Sequence, residues 1–223
     1  MKKYYKFELD MVIANVLALV LMIGVYLLYV FYIKEITCTF SGFYLIGLLF
    51  YFLIHEIFHG IGYSLFVKDK KNIKYGCVLE KGVFYAMCQE KISKQAILVS
   101  LLFPLVFLTG LVGMIGLIFN LDYLCILAIL NLAGAAGDIL MFFFILKLPK
   151  DIKYIDYDNV IGCYFVSRED LSKYKSFGII YRESGVDKKS LINTSIPKIY
   201  ISKKSIPTLF VFLALAFIMI LLG

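Results

Sequence analysis

The chain has little charge and few prolines. Asp, Glu, Lys and Arg together make up 17% of its 223 residues, and prolines number four. Hydrophobic residues make up 61%, and the mean hydropathy is +0.87, whereas soluble domains are roughly half apolar and a quarter charged. This composition argues against a water-soluble globular domain and indicates a membrane protein.

The sequence also lacks the patterns expected of a thiolate zinc site and of a nucleic-acid-binding surface. None of the five cysteines belongs to a Cys-x-x-Cys pair, so a zinc site built from thiolates is not expected. The net charge is +7, but no basic stripe is interleaved with aromatic residues, which argues against nucleic-acid binding. We interpret the positive charge as a signal for orientation in a membrane and for attraction to anionic lipid.

Five apolar runs are long enough to cross a bilayer, whose hydrocarbon core of about 30 Å needs about 20 helical residues. They are residues 11–33, 42–67, 95–119, 121–146 and 205–222. Lipid offers no partner to a free backbone N–H or C=O, so we expect these runs to be helices. The first run is too long for the apolar part of a signal peptide, and we expect it to be a retained helix.

The basic residues lie on one side of these runs. If the N-terminus is cytoplasmic, 22 of the 23 basic residues are cytoplasmic and only Lys34 is outside. The positive-inside rule therefore predicts a cytoplasmic N-terminus and an extracytoplasmic C-terminus. Abundant Lys, Ile and Tyr are compatible with a multi-pass protein of a bacterial plasma membrane.

Two cytoplasmic segments are expected to have structure of their own. Within residues 73–93, two runs rich in Val, Phe and Tyr flank Glu80-Lys81-Gly82, which predicts a membrane-associated β-hairpin. Residues 147–204 contain strand-like stretches and predict a small α+β or β appendage. The predicted fold class is thus an integral membrane α-helical protein with about five transmembrane helices. Its predicted parts are a membrane domain at 1–146, a cytoplasmic domain at 147–204 and a C-terminal transmembrane helix at 205–223.

The two histidines of the chain occur in one motif, His55-Glu56-x-x-His59, inside the second apolar run. Positions i and i+4 share a helix face, so both imidazoles can bind one Zn²⁺ while Glu56 acts as general base. Zinc lowers the pKa of a bound water from about 15.7 toward about 7, which supplies a nucleophile for a peptide carbonyl. The motif also occurs by chance on polar helix faces, but ionisable groups at bilayer depth are costly and usually functional.

A catalytic zinc site needs a third protein ligand and an open position. Asp122 is assigned to the turn at 120–122, so Asp138 is, apart from the glutamate of the motif, the acid that we place within a predicted span. His59 lies nine residues before Lys68, and Asp138 lies nine residues before Lys147. Both therefore lie about 13 Å from the same membrane surface if the helices are regular. We expect His55, His59 and Asp138 to meet at one depth.

The helix face of Asp138 carries small and polar residues. Asn131, Gly134, Ala135 and Asp138 occur at i, i+3, i+4 and i+7, which places them on one side of a helix. Asn131 is a candidate for holding the substrate backbone or the oxyanion. Ordinary close packing of helices explains the small residues equally well. Pro104, in the third run, is expected to kink its helix.

At these residues the sequence resembles intramembrane zinc metalloproteases of the site-2 protease class. It is more closely similar to the putative zincin peptidases, a family of small bacterial membrane proteins. The resemblance rests on HEIFHG at 55–60, LLFPL at 101–105, N-x-x-x-x-x-G-D at 131–138, KLPKD at 147–151 and GCYF at 162–165. It implies that His55, His59 and Asp138 bind zinc and that Glu56 is the base.

The predicted function is an intramembrane zinc metalloprotease acting on a membrane protein or peptide. The resemblance also gives the predicted hairpin a role, namely capture of an extended substrate by β-strand addition. The alternative is a non-catalytic membrane protein with the same fold, such as a pseudoprotease, a binding subunit or a metal-handling subunit. Glu56 favours the enzyme, because pseudoenzymes commonly lose the general base. Nothing in the sequence specifies an oligomeric state.

Overall fold

The computed structural model describes residues 3–32, 42–78, 83–156, 162–174 and 178–183. The helices are α1 (Met11–Tyr32), α2 (Gly42–Ser64), α3 (Lys94–Pro104), α4 (Val112–Ile118), α5 (Asp122–Gly134) and α6 (Ala136–Lys147). The strands are β1 (Lys3–Leu9), β2 (Ile73–Val78), β3 (Val83–Cys88), β4 (Ile92–Ser93), β5 (Lys153–Asp156), β6 (Gly162–Ser167) and β7 (Gly178–Glu183). The predicted turn at 80–82 and the predicted helix at 205–222 lie outside the described residues.

The helices agree with the predicted class of a mostly helical protein. Within the described residues, Met11–Tyr32 and Lys94–Ile118 are each long and apolar enough to cross a membrane. The pair α5 and α6 meets the same test as one broken span with a bend of 49°. These three correspond to the first, third and fourth predicted runs, and α2 corresponds to the second. Their insertion in a bilayer stays a prediction.

The long helix from Lys94 to Ile118 is irregular in its middle. A π-helical segment, Leu105–Leu111, begins directly after Pro104. The wider turn allows backbone carbonyl groups to accept hydrogen bonds from side chains of other helices. The Tyr51 hydroxyl donates to the Leu108 carbonyl at 2.7 Å, and the Asn131 amide donates to the Pro104 carbonyl at 3.3 Å. Such segments are frequent near functional sites, and this one contacts α2 and α5 where the candidate site lies.

A five-stranded antiparallel sheet has the strand order β4-β5-β6-β1-β7. The N-terminal strand β1 therefore lies between β6 and β7. A strand in this segment was not predicted from the sequence. Its alternating pattern explains the strand, because Tyr5 and Phe7 point into the core and are fully buried, as expected for a period of two.

The sheet packs against the ends of the helices in one hydrophobic core. Phe7 of β1 stacks on Phe144 of α6 with ring centroids 4.8 Å apart, and Phe165 of β6 packs on both rings. The Lys94 ammonium group donates to the carbonyls of Leu146 and Leu148 and so caps the C-terminus of α6. Strands from both sides of the predicted domain division at residue 146 thus share one sheet and one core.

Strands β2 and β3 form the predicted hairpin as a separate antiparallel pair, with Ile73 opposite Cys88 and Val78 opposite Val83. The hairpin lies beside α2. Two carboxylates hold strand β3 from outside the hairpin. Glu56 of α2 accepts a hydrogen bond from the Ala86 N–H, and Asp156 of β5 accepts one from the Cys88 N–H. The hairpin is thereby fixed between the helices and the sheet.

Candidate metal and catalytic site

Helix α2 carries the three residues of the motif. His55 and His59 are one turn apart on the same face and are both buried, with 7% and 6% of their surface exposed. Glu56 projects toward strand β3, where its Oε2 accepts the Ala86 N–H at 2.6 Å. The helix thus directs two imidazoles to one side and the carboxylate to the adjacent side, as the spacing predicts.

The break between α5 and α6 places Asp138 beside the two histidines. The chain leaves helical geometry at Ala135, and α6 begins at Ala136. Asp138 therefore lies in the first turn of α6, where the partial positive charge of a helix N-terminus favours a carboxylate. The small residues at the break also allow α5 to approach α2, and the ring of Phe52 packs over Gly134.

Three candidate ligand atoms meet at one point. The Nε2 atoms of His55 and His59 are 3.1 Å apart, and each is 3.1 Å from Oδ2 of Asp138. Bonds of about 2.0 Å to a tetrahedral zinc ion place neighbouring ligand atoms about 3.3 Å apart. The three atoms are therefore spaced like three corners of a tetrahedral site.

The second nitrogen of each histidine has a hydrogen-bond acceptor that fixes the ring. Nδ1 of His59 lies 2.9 Å from the backbone carbonyl of Ser100, which can only accept, so this nitrogen donates. Close approach of α3 to α2 makes the contact possible, since a Cβ at Gly62 would lie 2.7 Å from the Ser100 Cα. Nε2 of His59 is thereby left with a lone pair for a metal.

Asn131 fixes the ring of His55, as the Ser100 carbonyl fixes the ring of His59. Its amide nitrogen faces the Pro104 carbonyl and the Thr109 hydroxyl, at 3.3 and 2.9 Å, so its oxygen faces Nδ1 of His55 at 2.8 Å. Nδ1 of His55 must then carry the proton, and Nε2 is free for a metal. The sequence analysis predicted that Asn131 holds substrate or the oxyanion. The structure brings it behind a histidine instead, 2% exposed and bonded through both ends of its amide.

Two features of these residues suit a zinc ion. Two imidazole nitrogens and one carboxylate oxygen are a common donor set for catalytic zinc, which keeps one position open. The acceptors behind both imidazoles orient the rings for metal binding, as in other zinc sites. Among the described residues, His55, His59 and Asp138 are the group of side chains able to hold a metal ion.

Asp156 is a buried acid next to the site that the sequence analysis did not single out. Its carboxylate accepts hydrogen bonds from the Tyr154 hydroxyl, from the Cys88 N–H at 2.8 Å and from the Tyr63 hydroxyl at 3.4 Å. Burial raises the pKa of Asp156 from 3.8 to about 6, although these hydrogen bonds oppose the shift. Its sequence context, a single acid at the end of a strand, carries no signal for such a role.

The fold and the site suggest a class of protein: a helical chain in which an H-E-x-x-H helix and a third carboxylate could hold a metal ion, as in zincins. Residues 48–153 match the family model described as "Putative zincin peptidase". This segment contains His55, Glu56, His59, Asn131 and Asp138, and the match confirms the resemblance stated from the sequence. No curated protein and no solved structure matches the chain.

Proposed function

We propose that the protein is an intramembrane zinc metalloprotease that hydrolyses peptide bonds of membrane-associated or transmembrane proteins. The observation that carries the proposal is the spacing of 3.1 Å among the ligand atoms of His55, His59 and Asp138, with Glu56 adjacent on the same helix. An H-E-x-x-H helix with a third ligand is the arrangement used by metalloproteases.

Glu56 is the general base of the proposed reaction. A zinc ion at the three ligands would polarise the scissile carbonyl and a water molecule. Glu56 takes a proton from the water as the new C–O bond forms, and it returns this proton to the amine nitrogen as the C–N bond breaks. Oε2 accepts the Ala86 N–H, which orients the carboxylate and leaves Oε1 for the water.

The setting in a membrane is supported by the surface of α1. Its apolar side chains are largely exposed, including Val12 at 71%, Phe31 at 78% and Tyr32 at 83%. A continuous exposed apolar surface of this kind is costly in water and suits contact with lipid. The candidate site is formed between other apolar helices, so we expect the substrate to approach from the bilayer or from its cytoplasmic surface.

The hairpin supports capture of an extended substrate. Strand β3 borders α2, and its Ala86 N–H reaches the proposed base directly. A peptide segment aligned along the hairpin would have its backbone near Glu56. Unwinding in lipid leaves backbone groups without partners, and an added strand would satisfy them.

Hydrolysis by reconstituted protein tests the proposal. The probe is a pool of internally quenched single-span peptides of random sequence, incorporated with the full chain in lipid vesicles. We expect cleavage by the wild type and a loss of at least about 100-fold in Glu56→Gln, with bound zinc unchanged. Glu90→Gln is the matched control, because Glu90 accepts bonds from Lys68 and Asn72 away from the site. Equal cleavage by both variants would contradict the role of Glu56.

The same assay addresses the non-catalytic alternative. A pseudoprotease or metal-handling subunit holds zinc but cleaves none of the pool. The carboxylate of Glu56 argues against this alternative, because a site that only stores metal does not need a base beside its open position.

A further inference from the structure

Tyr75 of strand β2 lies against the motif helix at Gly60, where the helix has no side chain. A Cβ at Gly60 would overlap the Tyr75 hydroxyl and would lie 2.9 Å from Cε1 of its ring. The absence of a side chain at position 60 therefore creates the space in which the phenol rests. Half of the surface of Tyr75 is nonetheless exposed, so the ring is accessible from outside the protein.

Two contacts place this phenol beside the proposed base. Gly60 follows Glu56 by one helical turn and shares its face of α2. Tyr75 is also the cross-strand partner of Ala86, whose N–H binds Glu56. Residues paired across an antiparallel ladder have side chains on the same face of the hairpin. The helix and the hairpin thus independently bring Tyr75 to the side of the site that Glu56 faces.

The hydroxyl of Tyr75 has no hydrogen-bond partner among the described residues. Other tyrosine hydroxyls in this part of the chain have acceptors: Tyr51 donates to the Leu108 carbonyl, and Tyr63 and Tyr154 donate to Asp156. Burial, and then the negative charge of Glu56, raise the pKa of Tyr75. The phenol therefore keeps its proton at neutral pH and remains a donor.

Peptide hydrolysis is accelerated by such a donor. The carbonyl oxygen gains negative charge as water attacks, and a preoriented hydrogen bond to this oxygen stabilises the transition state. From the sequence, Asn131 is a candidate for this role. Its amide is already bonded to Pro104, Thr109 and His55, which makes a donor from another residue the better candidate.

We propose that Tyr75 is a catalytic residue whose hydroxyl donates a hydrogen bond to the oxygen of the scissile carbonyl as that oxygen becomes negative. The inference rests on the proposed protease function and adds a residue that is not part of the H-E-x-x-H motif. Gly60, in this account, is the residue that makes room for the phenol.

Two inhibitors that differ in their oxygen atoms test the proposal. A phosphoryl-dipeptide presents a tetrahedral anion like the transition state, whereas a mercaptoacyl-dipeptide binds zinc through sulfur and has no such anion. Their Kd values are measured by calorimetry on the full-length, zinc-loaded chain in detergent. We expect Tyr75→Phe to weaken the phosphoryl-dipeptide by at least about tenfold, the value of a hydrogen bond to a charged group. The mercaptoacyl-dipeptide and the zinc content should be unchanged.

Tyr85→Phe is the matched control. Tyr85 lies on strand β3 of the same hairpin, and its ring packs over Gly76 of β2. It should bind both inhibitors like the wild type. Equal affinity of Tyr75→Phe and wild type for the phosphoryl-dipeptide would overturn the proposal. An equal loss for both inhibitors would also overturn it, because that result describes a structural role.

The design separates this inference from the function on which it rests. If the wild type holds no zinc and binds neither inhibitor, the protease proposal fails, and the role of Tyr75 fails with it. If the wild type binds both inhibitors and Tyr75→Phe does so equally well, the protease proposal stands and only the role of Tyr75 is wrong.

Discussion

At the scale of single residues, the groups behind the ligands decide which histidine nitrogens are available to a metal. Asn131 and the Ser100 carbonyl each accept from an Nδ1 atom, so both Nε2 atoms point to Asp138. The candidate ligands themselves were predictable from residue type and spacing. The Ser100 contact was not, because a backbone carbonyl has no signature in the sequence.

Replacement of Asn131 distinguishes its two possible roles. Asn131→Ala leaves Nδ1 of His55 without its acceptor, and we expect zinc affinity to fall about 10- to 100-fold. Competition with a zinc chelator measures this change, with Asn72→Ala, which lies outside the site, as the control. Unchanged zinc affinity together with lost hydrolysis would instead support the substrate-binding role predicted from the sequence.

Asp156 gives the protein a predictable pH dependence. Its pKa of about 6 in the folded chain exceeds the ordinary value of 3.8, so the folded state binds this proton more tightly than the unfolded state. The groups that act on it are Tyr63, Cys88, Tyr154 and Cys163, together with His59, whose positive charge would lower its pKa. Its contribution to the unfolding free energy therefore falls as pH rises from about 4 to about 6, by on the order of 3 kcal/mol.

The comparison of wild type with Asp156→Asn isolates this contribution. An amide cannot ionise, so the variant lacks this part of the pH dependence. Thermal unfolding in detergent between pH 4 and 7 should show the wild type losing stability relative to the variant as pH rises. Parallel stability curves for the two proteins would contradict the assignment.

At the scale of elements, irregularities in the helices form the site. The break at Ala135 puts Asp138 at a helix N-terminus, and the π-helical segment after Pro104 provides the Pro104 carbonyl to Asn131. The sequence marks both places, with small residues at the first and proline at the second. It does not reveal the type of irregularity, because this depends on which side chains of other helices take the released carbonyls.

The contact between α2 and the hairpin can be tested through stability. Gly60→Ala introduces a methyl group into the space of the Tyr75 ring, which must then move outward, whereas alanine itself favours a helix over glycine by about 1 kcal/mol. Tyr75→Ala removes the obstructing ring. We therefore expect Gly60→Ala to raise the thermal midpoint more in a Tyr75→Ala background than in the wild type.

Additive effects of Gly60→Ala and Tyr75→Ala in the double variant would contradict the packing of Tyr75 over Gly60. The combined variant is informative because residues in contact are expected to deviate from additivity.

At the scale of the whole molecule, the N-terminal strand pairs with strands that lie more than 150 residues away in the sequence. Strand β1 pairs with β6 and β7, for example Tyr5 with Phe165 and with Arg182. This arrangement agrees with the predicted location of the N-terminus and residues 147–204 on the same side of the membrane. The lysines predicted that common side, but the pairing itself is long-range and depends on no local pattern.

The architecture also explains why the site residues come from distant parts of the sequence. Helices α2 and α6 provide the ligands, and their ends are held by one core with the sheet. The equal separations of His59 and Asp138 from their flanking lysines predicted that these helices meet. They did not predict that β3 and β5 would reach the same region, where Glu56 and Asp156 bind β3.

The most direct test of the account is the zinc content of the purified chain, measured by mass spectrometry in wild type, Glu56→Gln and Asp138→Ala. We predict one zinc ion per chain in the wild type and in Glu56→Gln, and a large loss in Asp138→Ala, because only the last variant removes a ligand. Zinc-free wild type, or full zinc content in Asp138→Ala, would contradict a metal centre formed by His55, His59 and Asp138.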